Sequence, residues 1–236
     1  MLGTIVNTCT IIIGSIAGAV LKRGVKQEYQ TALFNAMGVA SLALGANACV
    51  QNIPKSQYPV LFIVSISLGS LIGYMLRLDE CFNQLVEKLR HKGRTVAHED
   101  AKQEKNRLAE GLSTGILLYC IGPLSMLGPV ISALKGDHTF LFTNATLDFV
   151  SSMVFASTYG IGMILAAPVL FLWQGMFWLI AHISSSAISN ALMAELLIVG
   201  GLLITGSGLA LLRLKDCKTL NLLPALLIPV IWFLFK

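Results

Sequence analysis

Long apolar runs separated by short polar gaps dominate this chain, and the runs have the length of membrane-crossing helices. A helix rises 1.5 Å per residue, so about 20 apolar residues cross a hydrocarbon layer about 30 Å thick. Such runs cover residues 2–21, 31–50, 59–76, 112–134, 140–157, 163–180 and 191–212, with a shorter one at 222–235. Asn52-Ile53-Pro54 closes the second run, the 135–139 turn parts the fourth from the fifth, and Gly160 and Gly162 turn the chain into the sixth. The pattern predicts an all-α fold: a polytopic transmembrane helix bundle of about eight spans, or seven if the last run is re-entrant.

One long polar segment, 77–108, interrupts this rhythm. Leu78, Phe82, Leu85 and Leu89 recur at helical spacing, so its first half reads as an amphipathic helix that Gly93 breaks. With Lys88, Arg90, Lys92 and Arg94 near its end, that helix suits an anionic membrane surface. The chain thus divides into an N-terminal three-span unit (1–76), a basic cytoplasmic segment (77–108) and a C-terminal unit of four to five spans (109–236).

Composition agrees. Hydrophobic residues make up 55% of the 236 residues and charged ones 12%, against about 25% charged in soluble domains. Lipid is therefore the main solvent, and no soluble domain of ordinary size fits. The net charge of +5 would suggest nucleic acid in a soluble chain. Here all but three of the 17 basic residues fall in loops 22–28, 77–108 and 213–220, leaving Lys55, Lys135 and Lys236 for the opposite side. That is the positive-inside pattern: the three loops are expected in the cytoplasm and both termini outside, with no nucleic-acid partner. The first run lacks the basic n-region and cleavage site of a signal peptide and is expected to stay as an anchor. Five scattered cysteines form no CxxC pair and point to free thiols, with no metal site and no cofactor.

A weak repeat marks the helix contacts. Gly14-Ser-Ile-Ala-Gly18 leads to Lys22, and Gly69-Ser-Leu-Ile-Gly73 leads to Arg77; a looser version runs from Gly206 to Arg213. Glycines one turn apart let a neighbouring backbone come close, and the basic residue anchors the helix end. The small chain and these glycine faces leave room for a homodimer.

Candidate chemistry centres on Asp148, close to the middle of the fifth run. A carboxylate at mid-bilayer costs at least about 2.5–3.5 kcal/mol and usually faces a bundle interior or a watery cavity. Asn144, Asp148, Ser151 and Ser152 share one helical face. That stripe reads either as the wall of a pathway or binding site or as structural glue built on a protonated Asp148. The fourth run contains two Gly-Pro steps, Gly122-Pro123 and Gly128-Pro129, which predict a kinked or unwound helix. Broken backbone of this kind builds transporter sites, although a plain proline kink has the same signature. Asn7, Asn47, Asn144, Gln174 and Glu195 fall at one depth, where they line an outward vestibule or sit separately at the interface. Paired intramembrane aspartates, a Gly-x-Ser-x-Gly turn, a His-Glu-x-x-His pair and a P-loop are all missing, so an enzyme is not expected.

Gly3-Thr-Ile-Val-Asn7, Leu147-Asp148 with Ser152 and Phe155-Ala156, and Asn221-Leu-Leu-Pro224-Ala-Leu together resemble the YdfK/YqgA family of bacterial integral membrane proteins. The resemblance covers nearly the whole chain and implies a multi-pass protein of the bacterial inner membrane, with no established substrate. The family often carries lysine four residues before this aspartate; here that position is Asn144. A mechanism built on a Lys–Asp pair therefore does not transfer. The expected function is a small secondary transporter or ion-coupled permease, with a proton, cation or small solute held by Asp148, Asn144, Ser151, Ser152 and Gln174. The alternatives are an ion channel and a scaffold or regulator acting through the 77–108 segment.

Overall fold

The computed structural model describes residues 1–21, 26–81, 84, 111–112, 115–116, 118–120, 122–185 and 188–235. Among them every regular element is helical: α1 (Leu2–Val20), α2 (Gln27–Asn52), α3 (Leu61–Met75), α4 (Pro123–Lys135), α5 (Thr139–Tyr159), α6 (Ala166–Ile183), α7 (Asn190–Leu211), α8 (Thr219–Leu222) and α9 (Leu227–Leu234). Short 3-10 turns at Ile53–Lys55, Ile161–Leu165 and Leu223–Leu226 extend α2, lead into α6 and join α8 to α9. Leu2–Val20, Gln27–Lys55, Thr139–Tyr159, Ile161–Ile183 and Asn190–Leu211 are long and apolar enough to cross a membrane, and Leu61–Met75 and Thr219–Leu234 are shorter apolar helices. The amphipathic helix expected within 77–108, most of loop 22–28 and much of 112–121 lie outside the described residues.

Burial is inverted relative to a soluble protein. Ile13, Leu71, Leu172 and Ile183 are exposed, while Asn7, Ser15, Ser65, Gln174 and Glu195 are buried. Lipid accepts an apolar exterior, and polar side chains turn inward because hydrocarbon offers them no hydrogen bonds. The molecule is an all-helical membrane bundle.

Two compact units make up the chain: Met1–Thr31 with Phe82–Ile183, and Ala32–Cys81 with Ser184–Lys236. Both are discontinuous in sequence, so they cross the chain-order division at residues 76 and 109.

In the first unit α1 packs along α5, and α6 and α4 complete the bundle. Ile11, Tyr119, Cys120, Ala166, Ala167 and Leu170 form its core. The two Gly-Pro steps behave differently from each other. Gly122 caps α4 and Pro123 is its first residue, where the missing N–H costs nothing and the fixed φ suits a helix start. Pro129 lies inside α4, the position of a proline within a helix. There Gly128 sits against Leu141 of α5. Gly136, at φ 68°, ends α4 in the left-handed conformation. Asp137 then accepts a bond from the Thr139 N–H at the head of α5 (2.9 Å). The Thr139 hydroxyl first, and then that backbone bond, hold its carboxyl below the usual carboxylate range.

In the second unit α2 and α7 run antiparallel with glycine against glycine. A Cβ on Gly45 would meet the Gly201 carbonyl and Thr205, and one on Gly208 would meet the Gly38 carbonyl and Leu42. α3 runs antiparallel to α8–α9: Gly73 faces the Asn221 carbonyl and Gly69 faces the Ala225 backbone. The basic ends of the repeat share a backbone feature, since Arg77 (φ 48°) and Arg213 (φ 56°) both adopt the left-handed conformation. After α7 the bonds from Arg213 N–H to Ala210 (2.9 Å) and from Leu214 N–H to Leu209 (3.0 Å) form a Schellman motif with arginine where glycine is usual. A cation at that end also complements the helix dipole.

Candidate functional site

The pairing of α1 with α5 creates the site. Gly3 lies against Leu141, Gly14 against Ser152 and the Phe149 carbonyl, and Gly18 against the Met153 carbonyl. The contacts advance together along both helices, which therefore run parallel. The absence of side chains at Gly14 and Gly18 lets the backbones approach closely, and about two turns back from Gly14 the same face presents Asn7.

Asn7 donates its amide to Asp148 Oδ2 at 2.9 Å. Asn144, one turn before Asp148 on α5, donates to the same oxygen at 2.8 Å. All three side chains are buried. Two neutral amides thus converge on one carboxylate oxygen, and no described lysine or arginine forms an ion pair with it. Asn144, at the position where the resembled family often carries lysine, keeps the i, i+4 partnership with a neutral donor.

Around this triad the enclosure is polar in places. Tyr119 and Cys120 lie within electrostatic reach of Asp148. The Tyr119 hydroxyl is buried near Ser152, and the Thr4 and Ser15 hydroxyls on α1 are buried and unpartnered. Ser151 is buried beside the triad on the same face of α5. Ser152 returns its proton to the Phe149 carbonyl (2.9 Å) and abuts Gly14, so its hydroxyl serves the helix contact.

Gln174 reaches a different partner. Its amide donates to the Ser125 hydroxyl of α4 (3.1 Å), and its own oxygen is buried without a partner. Ser125 lies four residues before Pro129, whose ring nitrogen has no proton to give the Ser125 carbonyl. Gly122 and Pro123, by starting α4 where they do, set Ser125 opposite Gln174.

The five residues expected at one depth divide between the units. Asn7, Asn144 and Gln174 belong to the first, Asn47 and Glu195 to the second. Asn47 is exposed and accepts from Gln51 (3.0 Å). Of the vestibule set, only Asn7 and Asn144 meet Asp148. Sequence reasoning left Asn7 between interface and vestibule, yet the signal was present. Asn7, Ile11, Gly14 and Gly18 are spaced 4, 3 and 4 apart, which puts Asn7 on the glycine face. His182, in the last turn of α6, stacks on Trp178 at 4.7 Å.

An apolar-surfaced helical bundle with a buried aspartate–asparagine triad defines the class: an integral membrane protein. The chain belongs to the family described as Protein of unknown function (DUF554), whose model matches residues 2–234. It is 52% identical to the Uncharacterized membrane protein YdfK of Bacillus subtilis over 97% of this chain and 94% of that protein. It is 28% identical to the Uncharacterized protein YqgA of Escherichia coli, again over 97% and 94%. No solved structure matches.

Proposed function

We propose that the protein is a small secondary transporter or ion-coupled permease of the bacterial inner membrane in which Asp148 binds the coupling proton or cation. The observation that carries this reading is the convergence of Asn7 and Asn144 on one oxygen of a buried carboxylate with which no described lysine or arginine pairs. Burying a carboxylate costs several kcal/mol, and a hydrogen bond to a charged group returns about 1.5–3 kcal/mol. Two amides leave the balance near even, so the site tolerates both an empty and a loaded state. A lysine in place of Asn144 would supply a permanent countercharge and compete with any cation. Ser151, the unpartnered Thr4 hydroxyl and the Tyr119 hydroxyl extend the polar surroundings.

Proton and sodium flux in proteoliposomes, wild type beside Asp148→Asn, tests the reading. Flux under an imposed pH or sodium gradient is expected in the wild type and should vanish in the variant while its helical content and monodispersity persist. Equal flux from both proteins, or none from either, would remove Asp148 from any transport pathway.

A further inference from the structure

A second carboxylate is enclosed in the other unit. Glu195 lies in the second turn of α7, whose start is capped by the Ser189 hydroxyl accepting from the Leu192 N–H (3.2 Å). Glu195 is fully buried. Its Oε1 accepts from the Ser56 hydroxyl at 2.6 Å and from the Tyr58 backbone N–H at 3.3 Å, a proton that Tyr58 shares with Ser56 Oγ (3.1 Å). Its Oε2 is buried with no partner.

Among the described residues, the groups facing it bring no countercharge. Lys55, on the adjoining 3-10 turn, is exposed and forms no ion pair with Glu195. From α2 the nearest titratable group is Cys49, whose thiol is turned to the Ile198 carbonyl (3.5 Å). α9 contributes Trp232 and Phe233, edge-on to the Tyr58 ring at 5.8 and 5.9 Å, and α3 begins with the buried, apolar Leu61. A bare charge on this carboxylate would therefore leave Oε2 wholly uncompensated.

We propose that Glu195 is a proton-binding site, with the proton on Oε2 and the 53–60 connection held over it through Oε1. Binding takes one proton from water and converts the carboxylate to the neutral acid; Oε1 becomes the acid's carbonyl and keeps both donors. A proton suits the geometry better than a metal ion. Ser56 and Tyr58 direct hydrogens, not lone pairs, at the carboxylate, whereas a hard cation needs several oxygen ligands. The inference rests on the second unit alone and stands apart from the role given to Asp148.

Infrared difference spectroscopy of the full-length protein in lipid tests it, with Asp148→Asn as background so that the other buried carboxyl is silent. As the pH is lowered, a carboxylic-acid C=O band should appear in that background and be absent when Glu195→Gln is added. Ser56→Ala, which removes the shorter donor to Oε1, should shift the band to higher wavenumber. If the Gln variant fails to reconstitute, Glu195→Asp replaces it, and the band should move because the shorter side chain alters its reach to Ser56. A spectrum indifferent to Glu195 at every accessible pH overturns the proposal, and so does a band that Ser56→Ala leaves in place.

Discussion

At the residue scale, Asp148 organises the first unit through two bonds to a single oxygen, and their strength reports its charge. A hydrogen bond to an ionised partner contributes about 1.5–3 kcal/mol. Bonds between neutral side chains in membrane bundles average about 0.6 kcal/mol in double-mutant cycles. A cycle of Asn7→Ala and Asp148→Asn, read as shifts in unfolding midpoint in mixed micelles, is expected to show coupling above about 1.5 kcal/mol for a carboxylate. Coupling near the neutral average would mean that Asp148 is held as the acid. The sequence placed Asp148, Asn144 and Ser151 on one face, because helical period alone decides that. Asn7 needed a tertiary fact, namely which helix the α1 glycines meet. Ser152 looked equally polar, but in an apolar helix a serine can satisfy itself on its own backbone, and this one does. Glu195 was visible as a charge at the head of an apolar run, yet its partners Ser56 and Tyr58 lie about 140 residues away in sequence, beyond any local pattern.

At the element scale, glycine decides which helices touch. Gly14, Gly18, Gly69 and Gly73 each face a neighbouring helix at backbone distance. The partners were not legible, because a small residue signals close approach without naming what approaches. The pairings differ in direction too: α1 lies parallel to α5, and α3 antiparallel to α8–α9. A methyl group at Gly14 or Gly73 would collide with a carbonyl, and backbone cannot move aside as a flexible side chain can. Gly14→Ala and Gly73→Ala are each expected to destabilise by about 1–3 kcal/mol, the usual range for overpacking. Gly122→Ala is the control, since the nearest atom to its added methyl is the Leu118 carbonyl oxygen at 3.9 Å. Denaturation midpoints for the three variants give the comparison; equal losses at Gly122 and Gly73 would show that backbone contact does not set the cost. Helix ends were legible to within a few residues where Gly, Pro or charge marks them, as at α1 and α7. Pro129 lies within a helix that continues past it, and the sequence alone leaves open whether a Gly-Pro step starts a helix or falls inside one.

At the scale of the whole molecule, the question is how many times the chain crosses the bilayer, and the two short apolar segments decide it. α3 spans 15 residues, or roughly 22 Å at 1.5 Å per residue, less than the roughly 30 Å hydrocarbon layer. The α8–α9 segment, Thr219–Leu234, is of similar length. The second unit nonetheless ties these segments together end to end. At one end the Asp79 N–H donates to Asn221 Oδ1 (2.9 Å) and Gly73 meets the Asn221 carbonyl. At the other, Tyr58 meets Trp232 and Phe233. Their fates are therefore shared: either both cross, by local thinning of the bilayer and anchoring of flanking residues, or neither does. Charge favours crossing, because Arg77, Arg213, Lys215 and Lys218 gather toward the Asn221 end while the sequence offers only Lys55 and Lys236 for the Tyr58 end. The exposed thiols of Cys9 and Cys81 must first be replaced by serine, along with the other three cysteines. Single cysteines at Lys55 and Lys215 and a tag after Lys236 can then be probed with a membrane-impermeant maleimide and a protease in intact cells and inverted vesicles. Lys55→Cys and the tag are expected to react from the outer face and Lys215→Cys from the cytoplasmic one. A tag reached from the same side as Lys215→Cys would make α8–α9 re-entrant and, through its pairing with α3, remove two crossings at once.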